Sequence, residues 1–119
     1  MKYALLIHLG DSASPDNPGD WSKLSEEEQR QIYADWQAIN ETPGVTPNDF
    51  RLGPPDAATT VRVQDEKTLV TDGPFVSVKE ALAGWLVYEA DDLDAAIELA
   101  SRIPAARSGG AIEIRPLAG

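Results

Sequence analysis

Two helical patterns, each lying between strand patterns, constrain the fold of this chain more than any other feature. The first begins at Ser25, which forms a capping box with Glu28, and it predicts a helix over residues 26–41. The second begins at Asp91 or Asp92 and predicts a helix that ends at Pro104. Its apolar residues recur at helical spacing and are Leu93, Ala96, Ile97, Ala100 and Ile103. Each helix therefore has one apolar face that needs a sheet to cover it.

Short segments rich in strand-forming residues predict the strands of that sheet. These segments are residues 3–8, 50–53, 59–63, 69–71, 82–90 and 111–115. Because residues 59–63 and 69–71 flank a turn at 65–67, we predict that they form an inserted hairpin. Residues 11–20 are rich in Ser, Pro and Asn, which predicts a surface loop.

The order of these elements is strand, helix, strand, inserted hairpin, strand, helix, strand. It predicts a ferredoxin-like βαββαβ sandwich of the α+β class, in which both helices pack on one face of an antiparallel sheet. Residues 3–8 and 82–90 are apolar on both sides, so the second sheet face would be an exposed apolar patch. We therefore expect a homodimer whose two sheets pair face to face. A length of 119 residues predicts a single domain over residues 1–119.

Charge and residue content argue against several function classes. Ten Lys and Arg residues against twenty Asp and Glu residues give a net charge of −10, whereas nucleic acids and anionic membranes bind clustered cations. We therefore expect neither as a partner. The sequence has no Cys, one His, no glycine-rich phosphate loop and no nucleophile elbow, so we expect no metal and no cofactor. The N-terminal apolar run has five residues, too few for a signal peptide, so we expect a cytoplasmic protein.

The segment Val70-Thr71-Asp72-Gly73-Pro74-Phe75 is the most recognisable motif in the sequence. With Lys79-Glu80 and Gly84 after it, this segment resembles the DGPF motif of the YCII-related, DGPF-domain family. The resemblance continues in residues 2–8, 93–96, 102–104 and 112–116, and only residues 11–23 look individual. It implies a dimeric α/β barrel built from two ferredoxin-like subunits. Small lyases, isomerases and monooxygenases that act on polyketide-like or hydroxylated aromatic compounds share this architecture.

The resemblance also implies two kinds of function. Some YCII-type relatives are credited with a catalytic His–Asp pair whose histidine lies on the first helix, and here that helix offers Tyr33, Asp35 and Trp36 instead. Some DGPF members are similar to proteins encoded beside alternative sigma factors. The first association implies an enzyme of small molecules, and the second implies a regulatory module.

His8 and Asp72 are the candidate catalytic residues. His8 is the one histidine of the chain, the residue type that exchanges protons near neutral pH, and Asp72 of the DGPF turn could orient it. The alternative is that backbone groups cap His8 at a strand end and that Asp72 only stabilises its turn. The candidate ligand-binding residues are Tyr33, Trp36, Phe75 and Trp85. Aromatic residues at such spacings also serve as core, and that alternative stays open.

Two function hypotheses follow from these residues. The first is a small-molecule-binding protein, or a cofactor-independent lyase or isomerase, in which His8 and Asp72 exchange protons with a hydroxylated aromatic or lactone-type substrate. The alternative is a non-catalytic regulatory or interaction module, for example one associated with an alternative sigma factor, whose acidic surface meets a basic partner. His8 should face a pocket under the first hypothesis and has no functional role under the second.

Overall fold

The computed structural model describes residues 1–10, 21–46, 51–53, 55–75 and 82–118. The expected loop over residues 11–20, the expected strand residue Phe50 and the motif residues Lys79 and Glu80 lie outside the described residues. The elements are, in chain order, β1 (Lys2–His8), α1 (Glu26–Asn40), β2 (Val45–Thr46), β3 (Thr59–Gln64), β4 (Lys67–Asp72), β5 (Leu82–Glu89), α2 (Leu93–Ser101) and β6 (Ala111–Pro116). Short 3₁₀ helices lie before β3 at Pro55–Ala57 and after α2 at Pro104–Arg107.

The strands form a four-stranded antiparallel sheet in the order β2-β5-β1-β6 and a separate hairpin of β3 and β4. Because β1 and β2 are both antiparallel to β5, they are parallel to each other with β5 between them. In the same way, β5 and β6 are parallel with β1 between them. Two interlocked β-α-β units therefore build the sheet, an α+β arrangement compatible with the ferredoxin-like fold.

The sheet edge beside β5 is formed by β2, and the predicted strand at residues 50–53 is wrong for its described part. Residues 51–53 belong to no strand. The edge strand comes earlier in the chain than predicted, because Gly44, with a φ of +94°, turns the chain from the end of α1 into β2. A Cβ at Gly44 would lie 2.5 Å from the carbonyl oxygen of Glu89, so glycine is needed for this close approach to β5.

Both helices begin as local sequence chemistry predicts. Ser25 Oγ accepts from the Glu28 N–H at 3.1 Å, and Glu28 Oε1 accepts from the Ser25 N–H at 3.1 Å. These two hydrogen bonds complete the capping box and lower the pKa of the Glu28 carboxyl. Asp92, one of the two predicted caps, begins α2, because its Oδ1 accepts from the Ala95 N–H at 2.9 Å.

The core lies between the two helices and one face of the four-stranded sheet. Along β1 the side chains alternate between buried and partly exposed, so Tyr3, Leu5 and Ile7 point toward the helices. The largest fully buried side chains are Leu5, Ile39, Leu99 and Ile103. None of the helices in the described ranges combines the length and the apolar character that crossing a membrane requires.

The buried face of α2 differs from the predicted one. Leu93 and Ile97 were expected inside, but they are 49% and 50% exposed, whereas Leu99 is fully buried. Residues 96, 99, 100 and 103 are the buried set, and they follow the i, i+3, i+4, i+7 spacing of one helix face. The helix is therefore rotated so that Leu99 lies at the centre of the contact.

The β3–β4 hairpin turns through two residues in the left-handed region, Asp65 at a φ of 52° and Glu66 at a φ of 64°. Positive φ at both central residues gives a two-residue turn the twist that matches its strands. Val61, Val63 and Val70 lie on one face of the hairpin and are each more than half exposed.

Candidate functional site

The sheet face away from the helices carries His8. Because Leu5 and Ile7 point toward the helices, strand alternation places His8 on the opposite side of β1. Ala4 and Leu6 lie on that side as well. Strand pairing adds side chains from β5 and β6 to this surface, which we call the distal face: Trp85, Val87, Ala111, Glu113 and Arg115.

The register of the strands decides which of these side chains are neighbours. Leu6 pairs with Trp85 of β5 and with Glu113 of β6, so these three form one row across the sheet. His8 occupies the next row, where it pairs with Ala111, and it is therefore diagonal to Glu113. The surroundings of His8 are thus apolar toward β5 and charged toward β6.

His8 has a carboxylate neighbour in Glu113. The buried Nε2 atom of His8 lies 3.4 Å from Glu113 Oε1, and Glu113 Oε2 accepts from Arg115 Nε at 2.5 Å. The hydrogen bond from Arg115 lowers the pKa of Glu113, partial burial opposes this effect, and His8 adds to the lowering. Glu113 is therefore ionised at neutral pH and links His8 to Arg115.

Gly110 allows β6 to begin beside the end of β1. A Cβ at Gly110 would lie 2.3 Å from the carbonyl oxygen of His8 and 2.6 Å from that of Leu9. Both oxygens belong to the backbone and cannot swing away, so any larger residue would push β6 from β1. The Gly110 N–H donates to the carbonyl of Ala105 at 2.9 Å, which fixes the chain at this point.

The predicted partners of His8 lie on several surfaces. Asp72 is the last residue of β4, so it belongs to the hairpin and not to the sheet that carries His8. Phe75 is highly exposed, and the guanidinium of Arg62 lies 5.5 Å from its ring centroid. Trp85 is 40% exposed on the distal face, in the row beside His8. Of the predicted aromatic residues, Trp85 is thus the one that shares a surface with His8.

Tyr33 and Trp36 lie on α1, which packs on the other side of the sheet. Trp36 is partly buried against the core. Tyr33 is exposed and makes an edge-to-face contact with Trp21, with ring centroids 5.5 Å apart. These two side chains and His8 are therefore on opposite sides of the sheet.

Asp35 joins α1 to the 3₁₀ helix after α2. Its carboxylate accepts hydrogen bonds from Arg107 Nη2 and from Gln31 Nε2, the latter at 2.9 Å. Burial acts to raise the pKa of Asp35, but these hydrogen bonds and the charge of Arg107 outweigh burial and lower it. Because these donors satisfy the carboxylate, we assign Asp35 to helix packing and not to chemistry.

Sequence reasoning missed Glu113 and did not select Arg115 as a site residue. The available signal was the alternation of two isoleucines with two opposite charges in residues 112–115, which puts Glu113 and Arg115 on the same strand face. The pattern does not reveal how β6 aligns with β1, and it is this alignment that places Glu113 beside His8. Among the residues that the structure describes, no group of three or more His, Asp or Glu side chains is placed to hold a metal ion.

Comparison with known proteins extends over nearly the whole chain. A family model described as the YCII-related domain matches residues 1–118. The chain is also 34% identical over 122 residues to an uncharacterized protein of Rhizobium meliloti (strain 1021), an alignment that covers 99% of this chain and 93% of that protein. Both findings agree with the resemblance seen in the DGPF segment. The chain therefore belongs to the YCII-related family.

Proposed function

We propose that this protein binds a small hydroxylated aromatic or lactone-type molecule on the distal face and uses His8 as an acid–base group. The observation that carries the proposal is the position of His8, whose side chain is 20% exposed beside the ionised Glu113. A carboxylate next to an imidazole holds the ring in one tautomer and orientation. His8 can then take a proton from a phenol, an enol or an acidic C–H and return it to another atom, as a cofactor-independent lyase or isomerase requires.

The neighbours of His8 suit a planar ligand. Leu6 and Trp85 lie in the adjacent row, and Trp85 offers partly exposed aromatic surface for a ring to pack against. Apolar neighbours also lower the local dielectric, which strengthens a hydrogen bond between His8 and a ligand hydroxyl.

We also propose that the protein forms a homodimer through the distal face. Leu82 and Trp85 are 38% and 40% exposed, and an irregularity in the register between Ile7 and His8 pairs Leu82 with His8, so that Leu82 joins Trp85 on the distal face. Contiguous apolar surface of this kind is typical of association sites. Pairing of two distal faces would cover the ligand and keep water from the reacting atoms.

Sedimentation velocity tests the dimer. We expect a species of about twice the 12.8 kDa chain mass. Trp85→Glu on the distal face should give monomers, whereas Tyr33→Glu on α1 should leave the dimer intact. A monomeric wild type at micromolar concentration would contradict the face-to-face pairing.

A thermal-shift screen of hydroxylated aromatic compounds and lactones tests the ligand. A compound present at 100 times its dissociation constant should stabilise the protein by about 2.7 kcal/mol, which is several degrees in Tm. His8→Gln keeps a polar side chain and should lose the shift. A shift retained in Asp72→Asn would support His8 with Glu113 as the pair, and a shift lost in Asp72→Asn would support His8 with Asp72.

Flat melts for the wild type across the whole screen would refute the ligand proposal. The non-catalytic interaction module would then be the better hypothesis, and a search for a basic protein partner would follow. Equal shifts in the wild type and in His8→Gln would support ligand binding but show that His8 does not take part in it.

A further inference from the structure

Glu113 is shared between two side chains that it does not contact equally. Its Oε2 atom is 2.5 Å from Arg115 Nε, whereas its Oε1 atom is 3.4 Å from His8 Nε2. Charge-assisted N–H···O hydrogen bonds are about 2.7–2.9 Å long, so the contact with Arg115 is tight and the contact with His8 is loose. Arg115 therefore competes with His8 for the carboxylate that orients the imidazole.

Arg115 has the capacity to bind a second anion. Its side chain is 68% exposed on the distal face. Within the described ranges, Glu113 uses the Nε donor, and Nη1 and Nη2 of Arg115 make no hydrogen bond. A guanidinium carries five N–H donors in a rigid fork that matches a carboxylate, so an incoming carboxylate has donors to use.

The surface between Arg115 and Trp85 is apolar, and the small side chain of Ala4 leaves room above it. Arg115 pairs across the sheet with Ala4, whose side chain is a single methyl group, and Leu6 lies in the next row of β1. Leu6 is flanked by Trp85 on β5. An aromatic ring on this floor can thus lie between a cation on β6 and the imidazole at the end of β1.

We infer that Arg115 is the anion-binding residue of this site and that its ligand is an aromatic hydroxycarboxylate. The ligand carboxylate binds Nη1 and Nη2 of Arg115 and competes with Glu113 for the charge of the guanidinium, and the ligand hydroxyl faces His8. Glu113, released from Arg115, then closes its loose contact with His8 and orients the imidazole. Ligand binding therefore also positions His8. The inference rests on the proposed function, because it names the ligand class of the same site.

Binding measurements with matched ligands and matched variants test this inference. Each of the three hydroxybenzoate isomers is compared with its methyl ester, which keeps the ring and the hydroxyl but removes the charge. The variants are Arg115→Gln, Glu113→Gln and Arg102→Gln. Arg102 is the control because it is also an exposed arginine, with its Nε 3.0 Å from Glu98 Oε1 on α2.

We expect at least one isomer to bind the wild type and Arg102→Gln about tenfold more tightly than its ester, as hydrogen bonds to a charged group allow. Arg115→Gln should bring the ratio of acid to ester affinity close to one. Glu113→Gln should strengthen binding of the acid and leave the ester unchanged, because it removes the competitor for Arg115. A purely structural role of Glu113 would not produce a gain.

Three results would overturn the inference. Acid and ester could bind the wild type equally, with both weakened by His8→Gln, in which case the proposed function stands and the role of Arg115 does not. A preference for the acid that survives in Arg115→Gln would place the anion site elsewhere. If no acid and no ester binds, this inference is refuted, and the thermal-shift screen of lactones and other hydroxylated aromatic compounds decides the proposed function separately.

Discussion

Replacing Leu99 with alanine should destabilise this protein far more than the same replacement at Leu93. Leu99 is fully buried between α2 and the sheet, so truncation removes its transfer free energy and leaves a cavity that the core can only partly close. Such substitutions cost about 2.7–5.0 kcal/mol. Leu93 is 49% exposed on the same helix, and half of the roughly 1.5–3 kcal/mol for burying a leucine gives a loss of about 1 kcal/mol.

Urea unfolding at one fixed protein concentration measures both losses, because association could otherwise change the apparent stability. A loss of about 3 kcal/mol also predicts a Tm lower by about 10 °C for a chain of this size. The m value should be the same in both variants and the wild type. Equal losses at the two positions would refute the rotated face of α2.

Two further variants test contacts at the helices and in the hairpin. Asp35→Asn should lower the free energy of unfolding by about 1 kcal/mol at pH 7, since it weakens the bond to Arg107. Hydrogen bonds place the folded-state pKa of Asp35 below its unfolded value of about 3.9, so this difference should begin to shrink as the pH falls below about 4 and should be lost below the folded-state pKa. A difference that persists in strong acid would contradict the assignment. Glu66→Gly should slow amide exchange in β3 and β4 a few fold, because glycine removes the cost of a φ of 64°, whereas Thr68→Gly within β4 should speed it. Faster exchange in Glu66→Gly would show that the turn is not strained.

Features that depend on a few adjacent residues were predictable from the sequence. The capping box at Ser25 and Glu28 needs only four consecutive residues, and the structure has both of its hydrogen bonds. The inserted hairpin and its turn at Asp65 and Glu66 were likewise predicted from local composition. Such features are local because the interacting groups are held close by the chain itself.

Features that depend on packing were predicted less well. The apolar pattern of α2 has more apolar positions than the sheet covers, so it allowed a face centred on Leu93 and Ile97 as well as one centred on Leu99. The strand after α1 was predicted at residues 50–53, whereas the structure has the two-residue β2 at Val45–Thr46. The close approach of Gly44 to Glu89 favours β2 as the edge strand. Because these two residues are far apart in the sequence, local patterns do not reveal the contact.

The sequence by itself determined the kinds and order of the elements, the alternation along β6, and the family to which the chain belongs. Only the tertiary structure decided that β1 lies between β5 and β6, and that His8 therefore lies beside Glu113 while Asp72 lies in a separate hairpin. The physical reason is strand register. A shift of two residues between β1 and β6 would keep Glu113 and Arg115 on the distal face but change which of them lies beside His8, and no local pattern in residues 111–116 distinguishes these registers.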